Sequence, residues 1–333
     1  MRSRIKHHNK VRGPISPRGI AAIVACAVGF GVVSYAPIPS PNAYGKDTQP
    51  YTLQEIVDYT HVQREQPLLK LPENASLLER DVMEQVAKDL AFEAETDSDG
   101  NIVPSKDREK IEMAASRMTR FDDSIEEEAR LQNFETNYVR ANFMQESAGN
   151  HLAMSRAGAV GLSQLMPYVA PQFDVPVNSY IDARRNPRMS IFGGVNYLAR
   201  RRAEHPDWPE WLYLAAYNCN PDKIAALVEE KQSTRWEDLK DFLPEETRGH
   251  VVKVLAIKYI LDHEGDLGFA YERRPLFSEM YHKVVMHTVE NGETVQCIAR
   301  KYGVSPTDIK KLHPEIKGNK LPEGYNVSVP QMV

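Results

Sequence analysis

The sequence has little cysteine, with three cysteines among its 333 residues. A small scaffold held together by disulfide bonds is therefore excluded, because such scaffolds need a dense cysteine framework. Cys219 and Cys297 lie far apart in sequence, and we expect two free thiols, with a disulfide in an oxidising compartment as the open alternative. The chain is 42% hydrophobic and long enough for two or three domains, so packed cores must supply its stability.

The sequence also lacks an excess of basic residues. Its formal net charge is -5, and the only strongly basic segment is residues 1–45, which contain no acidic residue. The rest of the chain is therefore more acidic than the whole, and it offers no basic run that could neutralise phosphates. These observations exclude nucleic acid as a partner.

Long apolar runs are absent except for Ile20–Ala36, which follows the basic cluster and precedes several prolines. This order is typical of an export signal. As a helix the run would measure about 26 Å, slightly less than a ~30 Å hydrocarbon core, so a permanent span is marginal. Residues 1–45 are predicted to be an export signal or membrane anchor. We expect a periplasmic or cell-envelope protein, with inner-membrane anchoring and lipidation at Cys26 left open.

Residues 46–130 are predicted to be a linker followed by a helical region. Glu, Lys, Ala and Leu are frequent from Ser76 to Leu131, which favours helix, with one interruption at TDSDGNIVPS. The interruption has acidic residues at the spacing of a calcium loop, but Lys106 stands where such a loop needs a bidentate carboxylate. We therefore predict an acidic turn joining two helices, and no metal site.

Glu146 is the first candidate for a chemical role. Ser124 and Glu127 form a capping-box pattern, which predicts a helix that continues from there to Glu146. Val139, Phe143 and Glu146 would share one helical face. Apolar neighbours disfavour a carboxylate and raise its pKa, which suits an acid that holds a proton near neutral pH. The alternative is a solvated charge at a helix end.

A glycine-rich motif follows Glu146 directly. The sequence MQESAGNHLAMSRAGAVGLSQLMP spans residues 144–167, and it is followed by AAYNCNP at 215–221 and PEETRGHVVKV at 244–254. In order and separation, these motifs resemble those of the soluble lytic transglycosylases, in which a glutamate-serine pair precedes a glycine-rich turn and GLxQxMP. The matching residues of that turn and its continuation are Gly158, Gly161, Leu162, Gln164, Met166 and Pro167.

The resemblance implies a mainly α protein with a lysozyme-like helical catalytic domain over residues 131–268. It implies that Glu146 protonates the glycosidic oxygen between N-acetylmuramic acid and N-acetylglucosamine in peptidoglycan. The same group would then take the proton of the muramoyl 6-hydroxyl, which closes on C1 to give a 1,6-anhydro end. One carboxyl group suffices for this scheme, unlike the usual two-carboxylate glycosidase scheme. Neither a cofactor nor a metal is implied.

Matching the motifs residue by residue also implies a set of substrate-binding residues around Glu146. Ser147 would orient the glutamate or the substrate. Gln164 and Met166 would line the sugar sites, and simple packing is the alternative for Met166. The full implied set is Ser147, Gln164, Met166, Tyr217, Asn218 and Glu246.

The other three residues of this set come from the motifs at 215–221 and 244–254. Tyr217 and Asn218 would contact Glu146 or the muramoyl unit, and Glu246 would support the site. The alternative for Tyr217 is a core tyrosine with a satisfied hydroxyl, and the alternative for Glu246 is a helix cap.

The sequence departs from the family pattern in both of these motifs. The third motif normally continues with alanine, glycine, proline and glycine, whereas residues 219–222 read CNPD, which predicts a reshaped loop. In the fourth motif His250 replaces a tyrosine. A lone histidine on an apolar helical face is usually a satisfied core residue, so we predict no chemical role for His250.

The C-terminal segment, after a connector at residues 269–283, reads strand, helix, helix, strand. Residues 284–331 resemble a lysin motif (LysM), a module that binds glycans containing N-acetylglucosamine, and a packing domain without ligand is the alternative. Sugar contact is expected on the loop after the first strand and on the loop between the second helix and the last strand. The matching positions are Val289, Gly292, Thr294, Ile298, Ala299, Tyr302, Gly303, Val304, Leu312, Pro314, Leu321, Gly324, Val329 and Pro330.

The sequence therefore predicts a peptidoglycan lytic transglycosylase with a helical catalytic domain and a small βααβ module. The expected partners are peptidoglycan glycan strands, with membrane association through the N-terminus left open. A hydrolase of the same bond is the first alternative, and it would need a second carboxylate from Asp174, Asp182 or Glu246. A catalytically weak wall-binding scaffold is the other alternative.

Overall fold

The computed structural model describes residues 74–90, 92–96, 102–104, 106–267, 269–281 and 283–331. The predicted export segment Ile20–Ala36 and Cys26 lie outside these residues, so export remains a prediction. No helix in the described part of the chain is long and apolar enough to cross a membrane.

The catalytic part is helical, as predicted. A 3₁₀ turn, Thr119–Phe121, connects the second and third helices, and further 3₁₀ turns lie at Ala170–Phe173, Ala183–Arg185 and Lys240–Phe242. The helices are α1 (Leu77–Leu90), α2 (Lys106–Met118), α3 (Asp122–Leu131), α4 (Thr136–Ser147), α5 (Pro187–Glu204), α6 (Glu210–Asn218), α7 (Pro221–Lys231), α8 (Trp236–Leu239) and α9 (Glu245–Asp262).

Helix α4 lies at the centre of this part and packs most extensively against α9. Tyr138, Val139 and Phe143 on α4 are fully buried, so hydrophobic burial fixes the helix in place. The helix ends where Ala148 and Gly149 adopt left-handed conformations, with φ of 49° and 71°. A Cβ on residue 149 would lie 2.7 Å from the Cβ of Arg117, so this turn requires glycine.

Two local predictions were wrong. Helix α3 begins at Asp122, which places Ser124 inside its first turn rather than at its N-cap, and the chain leaves the helix before α4 begins at Thr136. Asn133 in this break has a left-handed φ of 54°. The acidic segment does not join two helices directly, because strands β1 (Phe92–Thr96) and β2 (Ile102–Pro104) form an antiparallel pair between α1 and α2.

The C-terminal module has the predicted strand, helix, helix, strand order. It consists of β3 (Val284–Thr288), α10 (Val295–Tyr302), α11 (Pro306–Leu312) and β4 (Asn326–Pro330), after a 3₁₀ turn at Phe277–Tyr281. The two strands pair antiparallel, with Val285 opposite Val329. The module has its own apolar core, which consists of Val289, Val295, Ile298, Ala299, Ile309, Ile316, Leu321, Val327 and Val329.

The described residues between 74 and 262 and between 270 and 331 belong to one compact unit, and those between 263 and 269 belong to another. Within 263–269, the backbone N–H of Leu267 donates to the carbonyl of His263, and that of Phe269 donates to Glu264. The described fold is mainly α, with one two-stranded sheet between α1 and α2 and another in the C-terminal module.

Candidate active site

Glu146 lies in the last turn of α4, and its side chain is 16% exposed. Burial, followed by the negative charge of Glu246, raises the pKa of Glu146 from 4.5 to about 8. The carboxyl group is therefore mostly protonated at neutral pH. A solvated helix-end carboxylate would not have this property, so the group can act as a proton donor.

His250 on α9 lies next to this acid, with its Nδ1 3.8 Å from Glu146 Oε1. Burial lowers the pKa of His250 to about 4, so at neutral pH a neutral imidazole faces a protonated carboxyl group and the two do not form an ion pair. Within the described residues, His250 Nε2 has no hydrogen-bond partner. The prediction of a satisfied core histidine was therefore wrong in one respect: His250 is buried, but it is not satisfied.

Asn142 is another buried polar residue near this point in sequence, one helical turn before Glu146 on α4. Its side chain is fully buried, and neither amide atom has a partner among the residues that the structure describes. Unpaired polar groups are costly inside a protein and are rare outside functional sites. Sequence reasoning named His250 without giving it a role and did not name Asn142, although the spacing of Asn142 from Glu146 was a usable signal.

Gln164 lies in the glycine-rich loop, where it adopts a left-handed φ of 48°. Its side-chain Nε2 donates to the carbonyls of Ala153 (3.2 Å) and Gly161 (2.8 Å), so the amide closes the loop on itself. Met166 is half-buried, and its carbonyl accepts from Val169 and Ala170. These side-chain and backbone hydrogen bonds therefore hold the loop in its observed conformation.

Tyr217 is bonded to this loop and lies within electrostatic range of Glu146. Its hydroxyl donates to the Ser163 carbonyl at 2.6 Å. Burial, and then the charge on Glu146, raise the pKa of the Tyr217 hydroxyl well above its usual range. The tyrosine is thus close enough to Glu146 for the two groups to interact electrostatically while it holds the loop backbone.

The other predicted site residues have structural contacts. Asn218 Oδ1 accepts from the hydroxyl of Thr247 at 2.8 Å, which ties the end of α6 to α9. The Ser147 hydroxyl is buried and donates to the Phe143 carbonyl at 3.0 Å. Glu246 is exposed in the first turn of α9 and acts on Glu146 through its charge. The structure thus associates Glu146 with Tyr217, Glu246 and His250.

A buried ion pair between Arg184 and Asp182 stabilises the glycine-rich loop. Arg184 Nε and Nη2 donate to the two carboxylate oxygens of Asp182, both at 2.8 Å. Arg184 Nη1 also donates to the carbonyls of Gly158 (2.8 Å) and Leu165 (2.9 Å), near the two ends of the loop. Asp182 was considered above as a second catalytic carboxylate. Both of its carboxylate oxygens accept hydrogen bonds from Arg184, so it has a structural role.

The fold and the site together define a class: a helical domain with a largely buried glutamic acid, next to a glycine-rich loop, suited to acid-base chemistry. Residues 123–239 match the family described as Transglycosylase SLT domain, and residues 287–330 match the family described as LysM domain. Two stretches of the chain thus match these two families, in the order that the sequence motifs predicted. Helix α9, with Glu246 and His250, lies beyond the matched SLT residues.

Curated relatives show the same likeness. The chain is 28% identical over 181 residues to membrane-bound lytic murein transglycosylase D of Escherichia coli K12, which covers 53% of this chain and 38% of the relative. It is 29% identical over 160 residues to membrane-bound lytic murein transglycosylase F of Thiobacillus denitrificans, covering 45% of this chain and 33% of the relative. The matched part of the chain thus spans about a third of the length of these relatives.

Solved structures of lytic transglycosylases are also similar in part. The 70 kDa soluble lytic transglycosylase of Escherichia coli is 27% identical, with a TM-score of 0.39, over 45% of this chain and 25% of that one. An inactive variant of the Slt lytic transglycosylase from Pseudomonas aeruginosa is 24% identical, with a TM-score of 0.39, over 46% and 25% of the two chains.

Proposed function

We propose that this protein is a peptidoglycan lytic transglycosylase that cleaves the β-1,4 bond between N-acetylmuramic acid and N-acetylglucosamine. The observation that carries the proposal is Glu146, a buried acid with a pKa of about 8 at the start of the glycine-rich motif. The SLT match and the lytic murein transglycosylases among its relatives support the substrate class.

The proposed reaction uses Glu146 twice. Its proton goes to the glycosidic oxygen as the bond between that oxygen and the muramoyl C1 breaks. The resulting carboxylate then accepts the proton of the muramoyl 6-hydroxyl while that oxygen bonds to C1. The acid is regenerated, no water is consumed, and the product has a 1,6-anhydromuramoyl end. Mass spectrometry of digested sacculi tests this scheme, because the products should be lighter by one water than those of a lysozyme, and hydrated reducing ends would favour the hydrolase.

The pKa of Glu146 predicts a specific pH profile. As an acid, Glu146 must be protonated, so kcat/KM should fall as pH rises through about 8. The charge of Glu246 contributes to this raised pKa, so Glu246→Gln should move the basic limb to lower pH, with His250 and Tyr217 unchanged around the acid. The position of the basic limb is measured from kcat/KM on soluble glycan across pH 5–10. Glu245→Gln, on the same exposed turn, is the control and should leave the limb in place. A basic limb that does not move in Glu246→Gln would refute this electrostatic account.

We further propose that the LysM module attaches the enzyme to its substrate and that the protein acts in the cell envelope. Residues 284–333 alone should bind insoluble peptidoglycan and chitin oligomers, because the module has its own apolar core. A pull-down at moderate salt measures retention, and circular dichroism confirms that the fragment is folded. A folded fragment that stays in the supernatant would contradict the proposal.

A further inference from the structure

The LysM module is docked on the catalytic domain through backbone pairing. Ile181 and Ile316 form an antiparallel bridge. On either side of it, the N–H of Asp182 donates to the Glu315 carbonyl (2.8 Å), and the N–H of Lys317 donates to the Tyr180 carbonyl (2.9 Å). Because backbone hydrogen bonds of this kind fix register and direction, the two domains meet in a defined orientation.

A buried carboxylate completes this contact. Glu315 is 3% exposed, and its Oε1 accepts from the Tyr325 hydroxyl (2.7 Å). His313 Nε2 accepts from the Ser328 N–H (2.8 Å), so the proton of the neutral ring is on Nδ1, which donates to Glu315 Oε1 at 2.9 Å. The other oxygen, Oε2, accepts from Asn186 Nδ2 of the catalytic domain at 3.3 Å. A satisfied buried network of this kind specifies one arrangement of the groups that form it.

The segment that pairs with the LysM backbone, residues 180–182, is also connected to the glycine-rich loop. Asp182, which pairs with the LysM backbone, holds Arg184, and Arg184 holds the carbonyls of Gly158 and Leu165. The LysM module is therefore attached to the part of the catalytic domain that carries Gln164. A sugar bound beside this contact would lie at a fixed position relative to the cleavage site.

A cavity of about 390 Å³ lies between the two domains at this contact. Met189 of the catalytic domain and Tyr325 of the LysM module give it apolar walls, which suit the faces of sugar rings. Arg188 and Asn326 add polar groups from the two sides, and both are exposed. Among the residues that the structure describes, no carboxylate lies within salt-bridge distance of Arg188.

We propose that this cavity is a glycan-binding site built jointly by the two domains, and that Arg188 pairs there with a carboxylate of the sugar strand. The ligand is an N-acetylated glycan unit that carries a carboxylate on its lactyl group. The guanidinium geometry suits a bidentate carboxylate contact, and a neutral N-acetylglucosamine oligomer offers none. The site shares the loop between α11 and β4 with the groove expected for the LysM module, but its second wall is the catalytic domain rather than the loop after β3. The inference rests on the proposed function, which supplies the strand.

The test compares two soluble ligands by calorimetry on the full chain, in a Glu146→Gln background so that nothing is cleaved. One ligand is peptide-free murein glycan, which carries lactyl carboxylates, and the other is a chitin oligomer of equal length. Arg188→Ala should weaken binding of the acidic glycan about tenfold, because a charge-assisted hydrogen bond is lost, and should leave the chitin oligomer unaffected. Arg188→Lys should recover part of the loss.

Two controls make the result specific. Arg130→Ala removes an exposed arginine from α3 and should change neither affinity. Ile181→Asp, on the catalytic side of the backbone bridge, should undock the module and reproduce the selective loss, with circular dichroism confirming the fold. Equal binding of the acidic glycan by Arg188→Ala and its parent, or an equal loss for both ligands, would overturn the inference. Failure of the wild-type chain to cleave the murein glycan would instead refute the proposed function, and that result is read separately from binding.

Discussion

Glu146→Gln is expected to lower turnover by about 10⁴-fold or more, while the protein still folds and still sediments with sacculi. Glutamine keeps the shape of the side chain but can perform neither proton transfer, and each general acid or base role is worth about 10²–10⁴-fold. Muropeptide release from sacculi, measured by chromatography and mass spectrometry, gives the rate. Glu127→Gln, the same change at an exposed position on α3, should leave the rate unchanged.

The same substitution should change stability in a way that depends on pH. The pKa of Glu146 is raised from 4.5 to about 8, so between these values the folded chain holds a proton that the unfolded chain has released. The wild type therefore loses stability as pH rises from 4.5 to 8, and the glutamine variant does not. In denaturant unfolding, the free energy of unfolding of the variant relative to that of the wild type should be larger at pH 8.5 than at pH 5. Full activity in the variant would overturn the assignment of Glu146.

Gly161→Ala is expected to have the second largest effect. Gly161 has a φ of +89°, and a Cβ there would lie 1.9 Å from the Arg184 carbonyl oxygen and 2.7 Å from Ser190 Oγ. The backbone must move, so the free energy of unfolding should fall by about 2–5 kcal/mol from strain and overpacking. Activity should fall about 10²-fold in the remaining folded protein, since the same loop positions Gln164.

Gly158→Ala is the matched control for this prediction. Gly158 has nearly the same φ, +91°, but a Cβ there would meet no atom within 4 Å. This variant should lose only the conformational advantage of glycine, about 1 kcal/mol. Urea unfolding and turnover on sacculi measure both effects. If the two variants lose equal stability, then the close approach of Gly161 to Arg184 is not what requires glycine at this position.

Local sequence patterns predicted those structural elements that depend on residues close together in sequence. The glutamate-serine pair and the glycine-rich motif indicated Glu146 and the loop, because a helix end and left-handed turns require particular residues at particular spacings. The βααβ order of the C-terminal module was predicted for the same reason. The helix break before Thr136 was missed, because Asn133 adopts a left-handed conformation within a helix-favouring segment that the capping pattern at Ser124 described wrongly.

The sequence by itself determined the two domain types, the candidate acid and the spacing of the residues that surround it. Only the tertiary structure decided what lies next to that acid. His250 meets Glu146 because α9 packs against α4, Asp182 is committed to Arg184, and Glu315 pairs with Asn186 from 129 residues away. Such contacts depend on how elements far apart in sequence pack together. The sequence pattern shows which face of each helix or strand is buried, but it does not show which other element packs against that face.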